Sequence, residues 1–147
     1  MTWSDALPYF SKAELQCKGS DLLLLHDSFA AHLPALRARW GPLRVTSACR
    51  SREHNKAVGG HPRSLHLTHN DHFQTVGTLA ADIWWSDWEP MAQLDFARLA
   101  HDGGWSVGLN RTFVHVDRRI DIGLRSRVFA YKNWRGYCSA QDIEDFV

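Results

Sequence analysis

Between residues 22 and 40 the apolar positions Leu22, Leu25, Phe29, Leu33, Leu36 and Trp40 recur at three- and four-residue steps, the spacing of one helix face. Ser20 or Asp21 offers an N-cap, Gly41 a stop, and Pro34 a point where such a helix would kink. Upstream, Ser11 and Glu14 stand in the S-x-x-E order of a capping box, which predicts a short helix. Leu43 to Ser47 carries β-branched residues and reads as a strand. Ser51 then caps a brief helix through Val58, ended by Gly59-Gly60. Leu79 to Trp85 reads as a second strand. Asp87 or Glu89 opens a helix carrying Met91, Leu94 and Leu99, closed by Gly103-Gly104. Ser106 to Leu109 and Thr112 to Val116 read as a hairpin across Asn110-Arg111, and Ser139 as the cap of a last short helix.

Helices before and between a few strands, with short connections and no repeats or linkers, predict an α+β fold: a single domain over residues 1–147 with a small, mainly antiparallel sheet and flanking helices. The composition agrees, since 147 residues with 44% apolar and 22% charged side chains can bury one core. A net charge of +1 argues against bulk electrostatic binding to nucleic acid or membrane. Cys17, Cys49 and Cys138 are too few and too widely spaced for a disulfide framework and read as buried thiols. The opening Met-Thr-Trp-Ser-Asp-Ala-Leu-Pro shows no signal peptide. The aliphatic run Leu22 to Leu25 is far too short to span a membrane.

Candidate chemistry sits in three separated segments: Ser64-Leu65-His66, Gly77-Thr78-Leu79-Ala80-Ala81-Asp82, and His115-Val116-Asp117. Together they offer two imidazoles and a carboxylate, a protein set suited to a catalytic zinc with an open fourth position. Asp82 lies among apolar neighbours, which is costly for a carboxylate unless something pairs it.

The surrounding residues resemble a known family. Tyr9-Phe10-Ser11-Lys12-Ala13-Glu14-Leu15-Gln16-Cys17-Lys18 is similar to the opening of its phage-associated branch. Val45-Thr46-Ser47-Ala48-Cys49-Arg50-Ser51-Arg52-Glu53-His54-Asn55 follows, then Ala57-Val58-Gly59-Gly60, the Ser-x-His, the Gly-x-x-Ala-x-Asp-Ile and Phe113-Val114-His115-Val116-Asp117. These words, in this order over roughly residues 9 to 119, resemble the zinc D-Ala-D-Ala carboxypeptidases and L-alanyl-D-glutamate endopeptidases, distant fold relatives of hedgehog domains. The resemblance implies Zn2+ held by His66, Asp82 and His115, and hydrolysis of amide bonds in the peptide stems of bacterial peptidoglycan. It also implies that Arg50 binds a substrate carboxylate or carbonyl, for which a guanidinium fork is suited. Ser64 would support the loop of His66. A monomer is expected, made in the cytoplasm and acting on the cell wall after release, with no nucleic-acid partner and no membrane insertion.

Two departures from the family stand out. Relatives usually place the Asp seven residues after the first His, whereas Asp82 follows His66 by sixteen, with Thr68 to Val76 as an insertion. His69, Asp71 and His72 of that insertion would either give an alternative ligand or rim the cleft. Many relatives also carry an acid three residues before the second His, where this chain has Thr112. Asp117 is then the candidate general base, because alternate strand residues share a face and lie about 6.6 Å apart. A partner to His115, or a salt bridge with Arg118 or Arg119, is the other reading of Asp117. Trp84, Trp85, Trp88 and Trp105 are read either as core or as cleft lining. The missing acid also leaves open a non-catalytic, zinc-stabilised phage module of the same fold. A His-metal nuclease, suggested by His69-Asn70-Asp71-His72, is disfavoured by the near-neutral charge.

Overall fold

The computed structural model describes residues 9–86 and 89–134. In chain order they form helix α1 (Lys12–Leu15), helix α2 (Asp27–Trp40), strand β1 (Arg44–Ser47), helix α3 (Arg52–Ala57) and a ribbon of β2 (His69–Asn70) with β3 (Thr75–Val76). Strand β4 (Ala80–Trp84), helix α4 (Pro90–Asp102), the hairpin of β5 (Ser106–Leu109) and β6 (Val114–Asp117), and strand β7 (Val128–Ala130) follow. The main sheet has the order β1-β4-β6-β5-β7, and β5 with β7 is its one parallel pair among the described residues. This is the α+β architecture that the sequence pattern predicts.

Strand alternation divides this sheet into two chemically different faces. Ile83, Val114 and Leu109 stand opposite one another across β4, β6 and β5, as do Ala81, Val116 and Val107. They join one core with Phe29, Leu33 and Leu36 of α2 and Leu94, Phe96 and Ala97 of α4. The intervening positions form a second set of rows. Ser47, Asp82, His115, Gly108 and Phe129 are aligned across all five strands. Ala80, Asp117 and Ser106 form the neighbouring row. The polar residues therefore share the face that the apolar core leaves.

The capping box is present: the Ser11 hydroxyl accepts from the Glu14 N–H at 3.2 Å, and Glu14 Oε1 accepts from the Ser11 N–H at 3.0 Å. The other Glu14 oxygen, Oε2, accepts from the Val45 N–H at 2.9 Å, so α1 also covers part of the exposed edge of β1. Ser51 caps α3 by accepting from the His54 N–H. Cys17 and Cys49 are buried free thiols, as expected.

Helix α2 differs from expectation at its start. The periodic pattern places its first turn at Leu22, but residues 20–25 are not helical and His26 is the N-cap. The Thr78 N–H donates to Leu24 O at 2.8 Å, and the His26 N–H donates to Thr78 O at 3.0 Å. These pairings take the backbone groups that a longer helix would use. They also bring Gly77 against His26: a Cβ on Gly77, whose φ is +99°, would lie 2.4 Å from the His26 nitrogen. Pro34 lies inside α2, which continues to Trp40. Asp87, Trp88, Cys138 and Ser139 lie outside the described residues.

Candidate metal centre

His66 sits on a loop pinned through its backbone. Its carbonyl accepts from the Arg50 N–H at 3.0 Å and from the Thr78 hydroxyl at 2.8 Å. Its N–H donates to Ser64 Oγ at 3.2 Å, the supporting role expected of Ser64. The ring is fixed as well, because His66 Nδ1 lies 2.8 Å from Ala48 O. A carbonyl only accepts, so Nδ1 carries the proton and Nε2 is the nitrogen left for other work.

That Nε2 points at Asp82, 3.2 Å from Oδ1. From the other side, His115 Nδ1 lies 3.3 Å from the same oxygen, as the cross-strand register of β4 with β6 requires. Arg50 closes the group, its Nη2 3.3 Å from Asp82 Oδ2. The three residues are buried, with exposures of 3%, 6% and 9% for His66, Asp82 and His115. Burial raises the Asp82 pKa, but the neighbouring His66 and His115 outweigh it and hold the carboxyl well below the usual carboxylate range.

One donor atom from each residue lies within 4.8 Å of the other two, close enough to share an ion. The donor chemistry fits zinc. Two imidazole nitrogens with their far sides already hydrogen-bonded and one carboxylate converge, leaving a fourth position for water or substrate. Burial pulls the His115 pKa down, yet hydrogen bonds to Asp117 and Asp82 push it up to about 9.

Asp117 stands behind His115. Its Oδ2 accepts from His115 Nε2 at 2.8 Å and from Arg119 Nη2 at 2.7 Å. Its Oδ1 accepts from the Arg119 N–H at 3.0 Å and from Arg119 Nε at 2.9 Å. A carboxylate has about four lone-pair sites, and here four donors address them. Asp117 has no exposed surface. His115 and Arg119 together overcome the effect of burial and hold its carboxyl far below the usual range. Arg118 goes elsewhere, its Nη1 donating to Gly103 O and its Nε to Asp121.

The site opens on a cleft of about 970 Å³ whose lining includes Arg50, His66, Asp82, His115 and Arg119 together with the aromatic Phe73, Phe113, Phe129 and Tyr131. Gly108 makes the aromatic wall fit: a Cβ there would meet Phe129 Cζ at 2.5 Å. Burial and nearby Asp82 push the Tyr131 pKa up to about 12, so its hydroxyl stays a donor at neutral pH.

A family model described as peptidase M15 matches residues 8–117. The chain belongs to the peptidase M15 family. No curated protein and no solved structure matches it. Its membership makes it a metallopeptidase in kind, and the His66, Asp82 and His115 group is where its fold can hold the metal.

The segment from Thr68 to Val76, expected from the sequence to be an insertion in this M15 peptidase, closes on itself. The Gly77 N–H donates to Thr68 O at 2.6 Å, and β2 pairs with β3 between those ends. His69 and Asp71 border a separate groove, where Asp71 pairs with Arg52 at 2.6 Å. Neither they nor His72 belongs to the metal-ligating group found among the described residues. Trp85 and Trp105 are core, and Trp84 borders a groove beside Glu14.

Arg119 was read from the sequence as one of two possible partners of Asp117, and it is the one that pairs, whereas Tyr131 and Phe129 were missed as parts of the site. The available signal was the alternation Val128-Phe129-Ala130-Tyr131, which marks a strand with two aromatics on one face.

Proposed function

We propose that this M15 peptidase hydrolyses amide bonds in the peptide stems of bacterial peptidoglycan, with zinc held by His66, Asp82 and His115. The observation that carries the reading is the convergence of His66 Nε2, His115 Nδ1 and Asp82 Oδ1 beside Arg50 at the foot of an open cleft. When bound there, zinc would lower the pKa of a water molecule towards about 7 and polarise the scissile carbonyl. Arg50 spends three N–H donors on Ser47, Asn55 and Asp82 and keeps two for a substrate carboxylate or carbonyl. Tyr131 keeps its proton and can donate to the same substrate. Asp117 acts through His115, because its four acceptor sites are engaged and a proton acceptor needs a free one. The opening that resembles the phage-associated branch supports a lysis protein of a phage or prophage, acting as a monomer. Among the described residues no helix is long and apolar enough to cross a membrane.

The test is digestion of purified peptidoglycan and isolated peptide stems by the zinc-loaded protein, read by mass spectrometry. Cleavage at one stem bond is expected, abolished by a chelator and by His66→Ala. Cleavage that survives both would contradict the metal site. Full zinc loading without cleavage of any stem would favour the second reading, a zinc-stabilised module without catalysis. That reading draws on Thr112, exposed and bonded to Asn110 where many relatives carry an acid.

A further inference from the structure

Arg119 makes three of the four contacts that fix the Asp117 carboxylate, through its N–H, its Nε and its Nη2. Its guanidinium lies 5.9 Å from the centre of the Phe129 ring and borders the cleft, so the fork has an aromatic neighbour as well as Asp117. The chain Arg119–Asp117–His115 ends at His115 Nδ1, 3.3 Å from Asp82. We propose that Arg119 is a positioning residue that acts through Asp117 to hold the His115 ring with Nδ1 turned to the metal position.

An imidazole can rotate about its bond to Cβ, and a ligand nitrogen is useful only if the ring is held still. Asp117 holds it through one hydrogen bond at Nε2. A carboxylate bonded only to His115 would itself be free to turn. The Arg119 side chain grips both Asp117 oxygens in a two-pronged arrangement that lysine cannot reproduce. The 3-10 turn at Arg119–Ile122 follows β6 directly and places the backbone N–H on the same carboxylate.

The sign of the effect separates this role from simple electrostatics. A cation near a metal site repels the incoming ion, so its removal should tighten binding if charge alone mattered. A positioning role predicts the opposite. This inference rests on the zinc reading above, and its test includes a measurement that needs no metal.

The experiment compares wild type with Arg119→Met, Arg119→Lys, Asp117→Asn and the Asp117→Asn/Arg119→Met double variant. Zinc affinity is measured by competition with a chromophoric chelator, and folding by circular dichroism. Arg119→Met should weaken zinc binding about 10–100-fold, the range typical of partners that orient ligands. Arg119→Lys should lie between it and wild type. In the Asp117→Asn background the Arg119→Met change should add almost nothing, since the pathway is already cut.

The second readout is the His115 Nε2–H proton in the metal-free protein by NMR. It should be protected from exchange in wild type and lost in Arg119→Met. If wild type binds no zinc but keeps a protected proton that Arg119→Met loses, the zinc reading fails and the positioning role stands. Wild-type affinity and a protected proton in either Arg119 variant would overturn the proposal. So would tighter binding, or additive effects in the double variant.

Discussion

Arg50 and His115 show how single side chains carry this site. Arg50→Ala removes the donors that face the cleft but no metal ligand. Its kcat/KM on peptide stems should fall at least about tenfold, as expected for losing a charge-assisted contact of roughly 1.5–3 kcal/mol, while zinc stoichiometry holds. An unchanged kcat/KM would place the substrate anchor elsewhere. His115 makes the metal-free protein sensitive to pH. Its folded pKa of about 9 lies above the unfolded value of about 6.5, so its contribution to stability is full below about pH 6.5 and lost as pH rises through 9. In urea denaturation of metal-free protein, the stability gap between wild type and His115→Gln should shrink from pH 6 to pH 9.5. A gap that widens would contradict the assignment. The grouping of His66, Asp82 and His115 was legible from the sequence because their motifs resemble the family's and because Asp82 stands among apolar neighbours. The role of Asp117 was not decided there. Strand spacing puts it on the face of His115, but only the fold shows that Arg119 fills its remaining acceptor sites.

At the scale of elements, α1 does more than its four residues suggest. Glu14 closes the capping box with one oxygen and pairs an edge N–H of β1 with the other. Ser11→Ala should cost about 1 kcal/mol, the usual loss for a cap. Glu14→Ala should cost more, about 1–3 kcal/mol, because it also strands the Val45 N–H. Equal midpoints and slopes for the two variants in urea would show that the β1 contact contributes nothing. The capping box was readable because its partners stand three residues apart in the chain, but the bond from Glu14 to Val45, thirty-one residues away, was not. The same limit explains α2. The spacing of Leu22 and Leu25 fits a helix, yet Leu24 and His26 pair with Thr78, a residue from the far side of the insertion. Strand β7 escaped notice because it is three residues long and gains its order from pairing with β5.

Across the whole molecule, one row of residues turns a small sheet into a site: Ser47, Asp82, His115, Gly108 and Phe129 come from five strands. The apolar alternation that builds the core fixes this row on the other face, so Asp82 and His115 of the candidate site owe their placement to the same pattern as the core. Residues 69–76 lie outside that arrangement, and their flanks meet at Thr68 and Gly77. Replacing residues 69–76 by a two-residue link should leave zinc stoichiometry unchanged, and a folded variant without zinc would contradict this. The most direct measurement is the metal content of the purified protein after dialysis, taken together with His66→Ala and His115→Ala. Close to one zinc per chain is expected for wild type and a sharp fall in both variants. Full occupancy in both variants would show that the metal is not held by this site.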